Sequence, residues 1–342
     1  MHTVDLPLHT GRAPRWLFNR MVKLSKTIME FIMDEYGTEE LLKRMADGYW
    51  FQAFSNVLGF DWHSSGSTTT TMGAVKVASS ELEIGVAGGK GKVALKTPEQ
   101  IVANGDRIGL SDKRINRLIL SSKMSAKVDN SVVQDGYSLY HHTIIFDRHG
   151  NWTVVQQGMR DNWARRYHWH NADKFVLDPH STVWSERVHT NVLNLTSKEH
   201  ELVRKISVDL VKDNPTHIKL PKHHNIVITK RIKQTLKRLY EIQPKDYEDL
   251  ISVRGVGPKT IRALALTSNL IYGAPLSWKD MTIYSFAHGG KDGVPYPVNR
   301  RVYDRTLRVL RQAIEQSKIG DYEKRKALKR LSNTASKIIL RE

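Results

Sequence analysis

The chain has 342 residues, 40% of them hydrophobic and 26% charged, which are ordinary globular values with length enough for two cores. Its 53 Lys and Arg against 35 Asp and Glu leave a net charge of +18, which points to a polyanionic partner, nucleic acid first. The absence of cysteine excludes disulfides, thiol nucleophiles, iron–sulfur clusters and cysteine zinc sites. No signal-peptide core or membrane-length apolar run is visible, so the expectation is a soluble, cytoplasmic protein with no membrane partner.

In chain order, residues 15–36 place Leu17, Met21, Leu24, Ile28, Phe31 and Ile32 on one helical face, and helix continues through 38–58 to Gly59. From Gly66 to Lys96 the texture turns to Thr, Val and Gly, with 88–92 (GGKGK) as a loop. Thr97 and Pro98 then read as N-cap and first residue of a helix. Two β-rich runs in 137–159 flank Asp147–Asn151 and predict a hairpin with a longer turn. A segment dense in Arg, His and aromatics follows, then a loop-rich connector over 178–196. Thr196–Glu199 fits a capping box, and the texture beyond it is helical apart from a Gly/Pro-rich island at 286–298. The expected architecture is an α+β domain over 1–196 and a separate all-α, DNA-binding domain over 197–342.

The most specific motif lies in 244–270. A helix carrying Tyr247, Leu250 and Ile251 runs into Arg254-Gly255-Val256-Gly257-Pro258-Lys259-Thr260, then into a helix with Ile261, Leu264 and Ala265 inward. Gly255 and Gly257 would bring backbone amides to the surface, and Val256 would plug the seam between the helices. The free amides of the second helix would then face a phosphate, with Lys259 and Thr260 as added donors. This segment resembles the helix-hairpin-helix DNA-binding motif, which grips the backbone and reads no bases. Basic runs at 230–238 and at 300–341, with 13 Lys/Arg against 4 Asp/Glu, support it.

That resemblance extends to helix-hairpin-helix glycosylases, in which the lysine after the turn can be an amine nucleophile and a following Asp is catalytic. Lys259 stands at the lysine position. Asp280 is one candidate for the acid; Pro297-Val298-Asn299 mimics the other, with Asn in place of the carboxylate. The N-terminal half, with Asp61-Trp62-His63, the 88–92 loop and Arg165-Arg166-Tyr167-His168-Trp169-His170, resembles a prokaryotic domain-of-unknown-function family in which such a half precedes a helix-hairpin-helix.

Phosphodiester cleavage needs a metal or a general base and a cation for the developing charge. Asp61, His63, His142 and Asp147, with His141, could serve as catalytic groups and as ligands for a divalent ion such as Mg or Mn. Lys90, Lys92, Arg165, Arg166 and Lys291 could hold DNA, and Tyr167 and Trp169 could stack on bases or pack in a core. The leading expectation is a DNA-repair or DNA-processing nuclease. The alternatives are a glycosylase or abasic-site lyase using Lys259, and a non-catalytic DNA-binding module.

Overall fold

The apolar spacing of residues 15–36 folds as α1 (Arg15–Tyr36), which buries Met21, Leu24, Ile28 and Ile32. Gly37 ends it, and the run expected as one helix to Gly59 is two, α2 (Thr38–Ala46) and α3 (Gly48–Leu58). The break falls at Asp47, whose carboxylate caps α3 by accepting from the amides of Tyr49 and Trp50. The computed structural model describes residues 13–60, 65–185, 188–213, 229–281, 300–316 and 320–339.

The Thr-rich run that follows is helix, α4 (Ser65–Ala78). Thr68 and Thr71 face inward, bonded to Gln157 and to Ser55, so tertiary partners override their weak helix propensity. β1 (Ile84–Lys90) takes in the first half of the expected glycine loop, and only Gly91–Lys96 remains a tight turn. α5 (Thr97–Arg107) starts at Thr97 itself, whose hydroxyl donates back to the Ala94 carbonyl at 2.6 Å. α6 (Asp112–Lys127) ends in a wide π-helical turn, Val128–Val132. The expected hairpin is present as β3 (Ser138–Asp147) and β4 (Trp152–Arg160), preceded by the short β2 (Val133–Gln134). The Arg/His/aromatic segment forms β5 (Trp163–His170), and the connector contains β6 (His180–Trp184) and β7 (Leu193–Asn194).

Five strands make one antiparallel sheet in the order β1-β3-β4-β5-β6, and β2 pairs with β7 beside it. Helices follow as α7 (Glu201–Lys212), α8 (Lys230–Ile242), α9 (Tyr247–Ser252), α10 (Pro258–Tyr272), α11 (Arg300–Gln316) and α12 (Asp321–Ile339). Strand alternation sends Ile144, Phe146, Val154, Tyr167 and Trp169 to one face, into a core shared with Leu236, Leu250, Ile261 and Leu264. Ile84, Val86, Ile145 and Val155 go to the other face, where they meet Ile28 and Phe54 together with Leu310, Ile314 and Ala327.

This arrangement corrects the expected fold class. The chain is a mixed α/β structure with its sheet in the middle and helices from both ends, and among the described residues no distinct all-α domain follows residue 197. The physical reason is that both faces of the sheet are apolar and need cover. α7–α10 cover one face, and α11 and α12 join α1 and α3 on the other. Local pattern identified the helices; it carried no information on which core they share.

A buried ion cluster ties the two parts together. Arg165 on β5 donates to Asp135 at 3.0 Å and, through both terminal nitrogens, to Asp280 at 3.0 and 2.7 Å, and all three side chains are shielded from solvent. Burial alone would lower the Arg165 pKa, but the two carboxylates outweigh it and raise it. Removing Asp280 leaves Arg165 paired with Asp135 but takes two hydrogen bonds from a buried cation, each worth about 1.5–3 kcal/mol. Asp280→Ala should therefore cost a few kcal/mol of unfolding free energy, read as a lower urea midpoint, and a fragment of residues 197–342 should fail to melt cooperatively. A fragment that folds alone would contradict the shared core.

Candidate active site and nucleic-acid interface

The α9–α10 turn has the geometry of an anion cradle. Gly255 lies at φ +100, a conformation that favours glycine, whereas Gly257 at φ −137 is extended backbone open to any residue. Val256 is buried between the helices. The carbonyls of the turn have acceptor roles within the protein: Arg254 O accepts from Arg238 at 2.9 Å, Val256 O from the Lys127 amine and Pro258 O from Gln134 at 2.9 Å, with Thr235 at 3.4 Å from Gly255 O. Ile261 N is the first amide of α10 with a backbone acceptor, Gly257 O at 3.0 Å. The amides of Gly257, Lys259 and Thr260 precede that bond, and the cap supplies no side-chain acceptor. Arg254 and Lys259 are exposed beside them, and Arg262 lies over the Trp278 ring at 5.2 Å.

A second feature lies next to this turn. Gln134, bonded to Pro258, pairs with Leu193 across β2–β7, and the following Asn194 lines a cavity of about 330 Å³. His180, Thr196, Ser197, His200 and Asp280 line it too. His180 donates from Nε2 to Asp129 Oδ1 at 2.5 Å, and Asp129 Oδ2 also accepts from Trp169 Nε1 at 2.9 Å and from Gln156 Nε2. With the Gln156 amide donating to Asp129, its carbonyl accepts from His142 Nδ1 at 2.7 Å, and His142 Nε2 accepts the Ser122 hydroxyl at 2.7 Å. The π-helical turn at Val128–Val132 puts Asp129 at the centre of this chain of bonds. A carboxylate on Nε2 fixes the His180 tautomer and leaves Nδ1 as its basic nitrogen.

The sequence-derived candidates divide. Arg254, Gly255, Val256, Gly257, Lys259 and Thr260 come together in the turn, although Thr260 is itself buried. Lys90 and Lys92 are exposed at the far end of β1 and in the turn after it. Asp280 is enclosed and committed to Arg165, so it is not a free acid beside Lys259. Arg165 and Arg166 are interior and offer nothing to a DNA strand: Arg166 donates to Thr68 and Gln52, and burial lowers its pKa to about 9. Tyr167 and Trp169 are core residues. His142 has both nitrogens engaged, and Asp147 accepts from the amides of His149 and Asn151 to close the β3–β4 turn, so these two do not form a ligand set. Among the described residues no group of three His, Asp or Glu is placed to hold a metal ion. Asp61, His63, Lys291 and Asn299 lie outside the described residues.

Sequence reasoning passed over Asp129, Asp135, Gln156 and His180. Asp129 and Asp135 flank Val132 and Val133 at a helix-to-strand junction, and acids there look like loop residues until the pairing partners are known.

A family model described as "Protein of unknown function (DUF763)" matches residues 2–298. The chain belongs to the DUF763 family. The matched range takes in the sheet, the α9–α10 turn and the cavity, so both features are within the part that defines DUF763. No curated protein matches the chain, and no solved structure does. No helix among the described residues is long and apolar enough to cross a membrane.

The buried histidines of this DUF763 chain set its acid response. Burial, the largest cause for each, holds His142 and His168 below the ordinary value of 6.5 and lowers His141 to about 3. Between those values the unfolded chain binds protons that the folded chain refuses. The stability is therefore intact above about pH 6.5 and is lost as the pH falls, for His141 by about 1.4 kcal/mol per unit down to about 3. The urea midpoint should be lower at about pH 4.5 than at about pH 7.5, and His141→Gln should flatten the profile; equal midpoints would contradict the assignment.

Proposed function

We propose that this DUF763 protein is a cytoplasmic DNA-processing enzyme that holds the DNA backbone on its α9–α10 turn and carries out hydrolytic chemistry in the adjoining cavity. The observation that carries the reading is the turn itself, with its carbonyls taken up by protein donors, the amides of Gly257, Lys259 and Thr260 ahead of the first α10 backbone bond, and Arg254 and Lys259 alongside. The likeness to a helix-hairpin-helix and the net charge of +18 support it.

Lys259 acts here as a phosphate ligand. It is exposed on the first turn of α10 beside the amides of that turn, where its side chain can reach a phosphate oxygen. For the reaction, His180 is the candidate general base. Asp129 holds its ring and would stabilise the imidazolium that forms when Nδ1 takes a proton from water, the role that a buried carboxylate plays behind a catalytic histidine. A divalent ion such as Mg or Mn, if one takes part, would supply charge neutralisation at the phosphate.

The test uses oligonucleotides that are abasic, deaminated, oxidised, flapped or single-stranded, each with and without chelator. Gly257→Val should keep the melting temperature, since a Cβ there meets no atom within 4 Å, yet weaken DNA binding about tenfold or more by standing where a phosphate approaches. His180→Gln and Asp129→Asn should bind as the natural chain does and lose about 100-fold or more in turnover. Unchanged binding by Gly257→Val would remove the turn from the account. Binding without turnover on every substrate would reduce the protein to a DNA-binding module.

A further inference from the structure

The most exposed large apolar side chain among the described residues is Leu95, 80% accessible, in the tight turn Gly91–Lys96 that follows β1. Val93 stands beside it, half-exposed, and Lys90, Lys92 and Lys96 surround the pair, all exposed. An isolated leucine on a surface needs no explanation, but this one tops a turn that is held firmly from below. The Gly88 amide donates to Gln100 at 2.8 Å, and Lys76 donates to Gly88 O and to Gln100, both at 2.6 Å. A Cβ on Gly88 would lie 2.1 Å from the His142 carbonyl, so the base of the turn sits flush on β3. Val93 packs back against Gly89, where a Cβ would come within 3.0 Å of it, and this leaves Leu95 leading.

The register places this turn at the same end of the sheet as the α9–α10 turn. Lys90 pairs with His141 near the start of β3, and Gln134, which bonds the α10 turn at Pro258, lies seven residues earlier on the same run of chain. The chain from Gln134 to His141 bends at Asp135 and Gly136, so those two ends lie closer than the roughly 23 Å that seven extended residues would span. Arg160, at the end of β4, adds a further cation on that edge, with Asp161 beside it.

We propose that the turn Gly91–Lys96 is a second DNA contact, in which Leu95 wedges between base steps from the minor groove while Lys90, Lys92 and Lys96 hold the flanking phosphates. This rests on the DNA-binding reading above and adds to it a deformation of the duplex. An apolar tip ringed by cations suits this role: the cations neutralise the strand on either side, and the aliphatic group replaces the stacking contact that it opens. Wedging opens a stack and kinks the duplex, which lets it meet two contact points on one protein.

The experiment uses the full chain and duplexes with 2-aminopurine at successive positions, whose fluorescence rises on unstacking. The natural chain should raise the signal several-fold at one step or two adjacent steps. Leu95→Ala should abolish that rise with only a several-fold loss of affinity, and Leu95→Met should restore it. Lys92→Ala and Lys96→Ala should each reduce the slope of log affinity against log salt by about one. A duplex that is bound with no fluorescence change, or a rise that survives in Leu95→Ala, overturns the wedge and leaves the α9–α10 grip standing. Loss of all binding in Gly257→Val, with the Leu95→Ala effect as stated, supports both contacts. Failure of the natural chain to bind any duplex overturns both.

Discussion

Arg165 is a buried cation near the start of β5, in a sheet covered on both faces, and it holds together distant parts of the chain. Two carboxylates reach it, from the turn before β3 and from the segment after α10, whereas its neighbour Arg166 is buried on neutral acceptors. Asp280 also accepts the His189 amide, and Asp135 accepts the Tyr167 hydroxyl and the Tyr137 amide, so each acid fixes a further piece of chain. The cluster thereby sets the position of the segment that walls one side of the cavity. It also fixes α10, whose C-terminal end leads into that segment. The grip and the cavity are held in register by the same three charges.

The second constraint concerns direction. Four carbonyls around the α9–α10 turn are satisfied from within by Arg238, Thr235, Lys127 and Gln134, donors contributed by α8, α6 and β2. With the oxygens engaged, the amides ahead of Ile261 are the unspent groups of the turn, and the start of α10 adds the positive end of its dipole there. Donors on three other elements therefore set the polarity of the surface that is proposed to hold DNA.

Legibility from sequence followed the range of the interactions. The α9–α10 hairpin was readable because its signals are local: Tyr247, Leu250 and Ile251 before the turn, Ile261, Leu264 and Ala265 after it, and all are buried as the spacing implied. The β3–β4 hairpin was readable for the same reason. Arg165-Arg166-Tyr167-His168-Trp169 was misleading, since Arg, His and aromatics in one run look like a nucleic-acid patch. Alternation sends those residues to two faces, and both faces are covered, one of them by helices far along the chain. The partners of Arg166 come from α3 and α4, those of Arg165 from 30 and 115 residues away, and no periodicity carries that information. The Asp129–His180 pair was hidden likewise, because its parts are 51 residues apart and neither belongs to a motif.

The central claim is that a DNA phosphate sits on the open amides of α10. The most direct measurement follows backbone amide resonances of the ¹⁵N-labelled chain while a short duplex is added. With phosphate bound there, the largest shifts occur at Gly257, Lys259 and Thr260, with smaller ones at Arg254 and Gly255, and they reverse on raising salt. Binding that leaves these amides unmoved while others shift would contradict it.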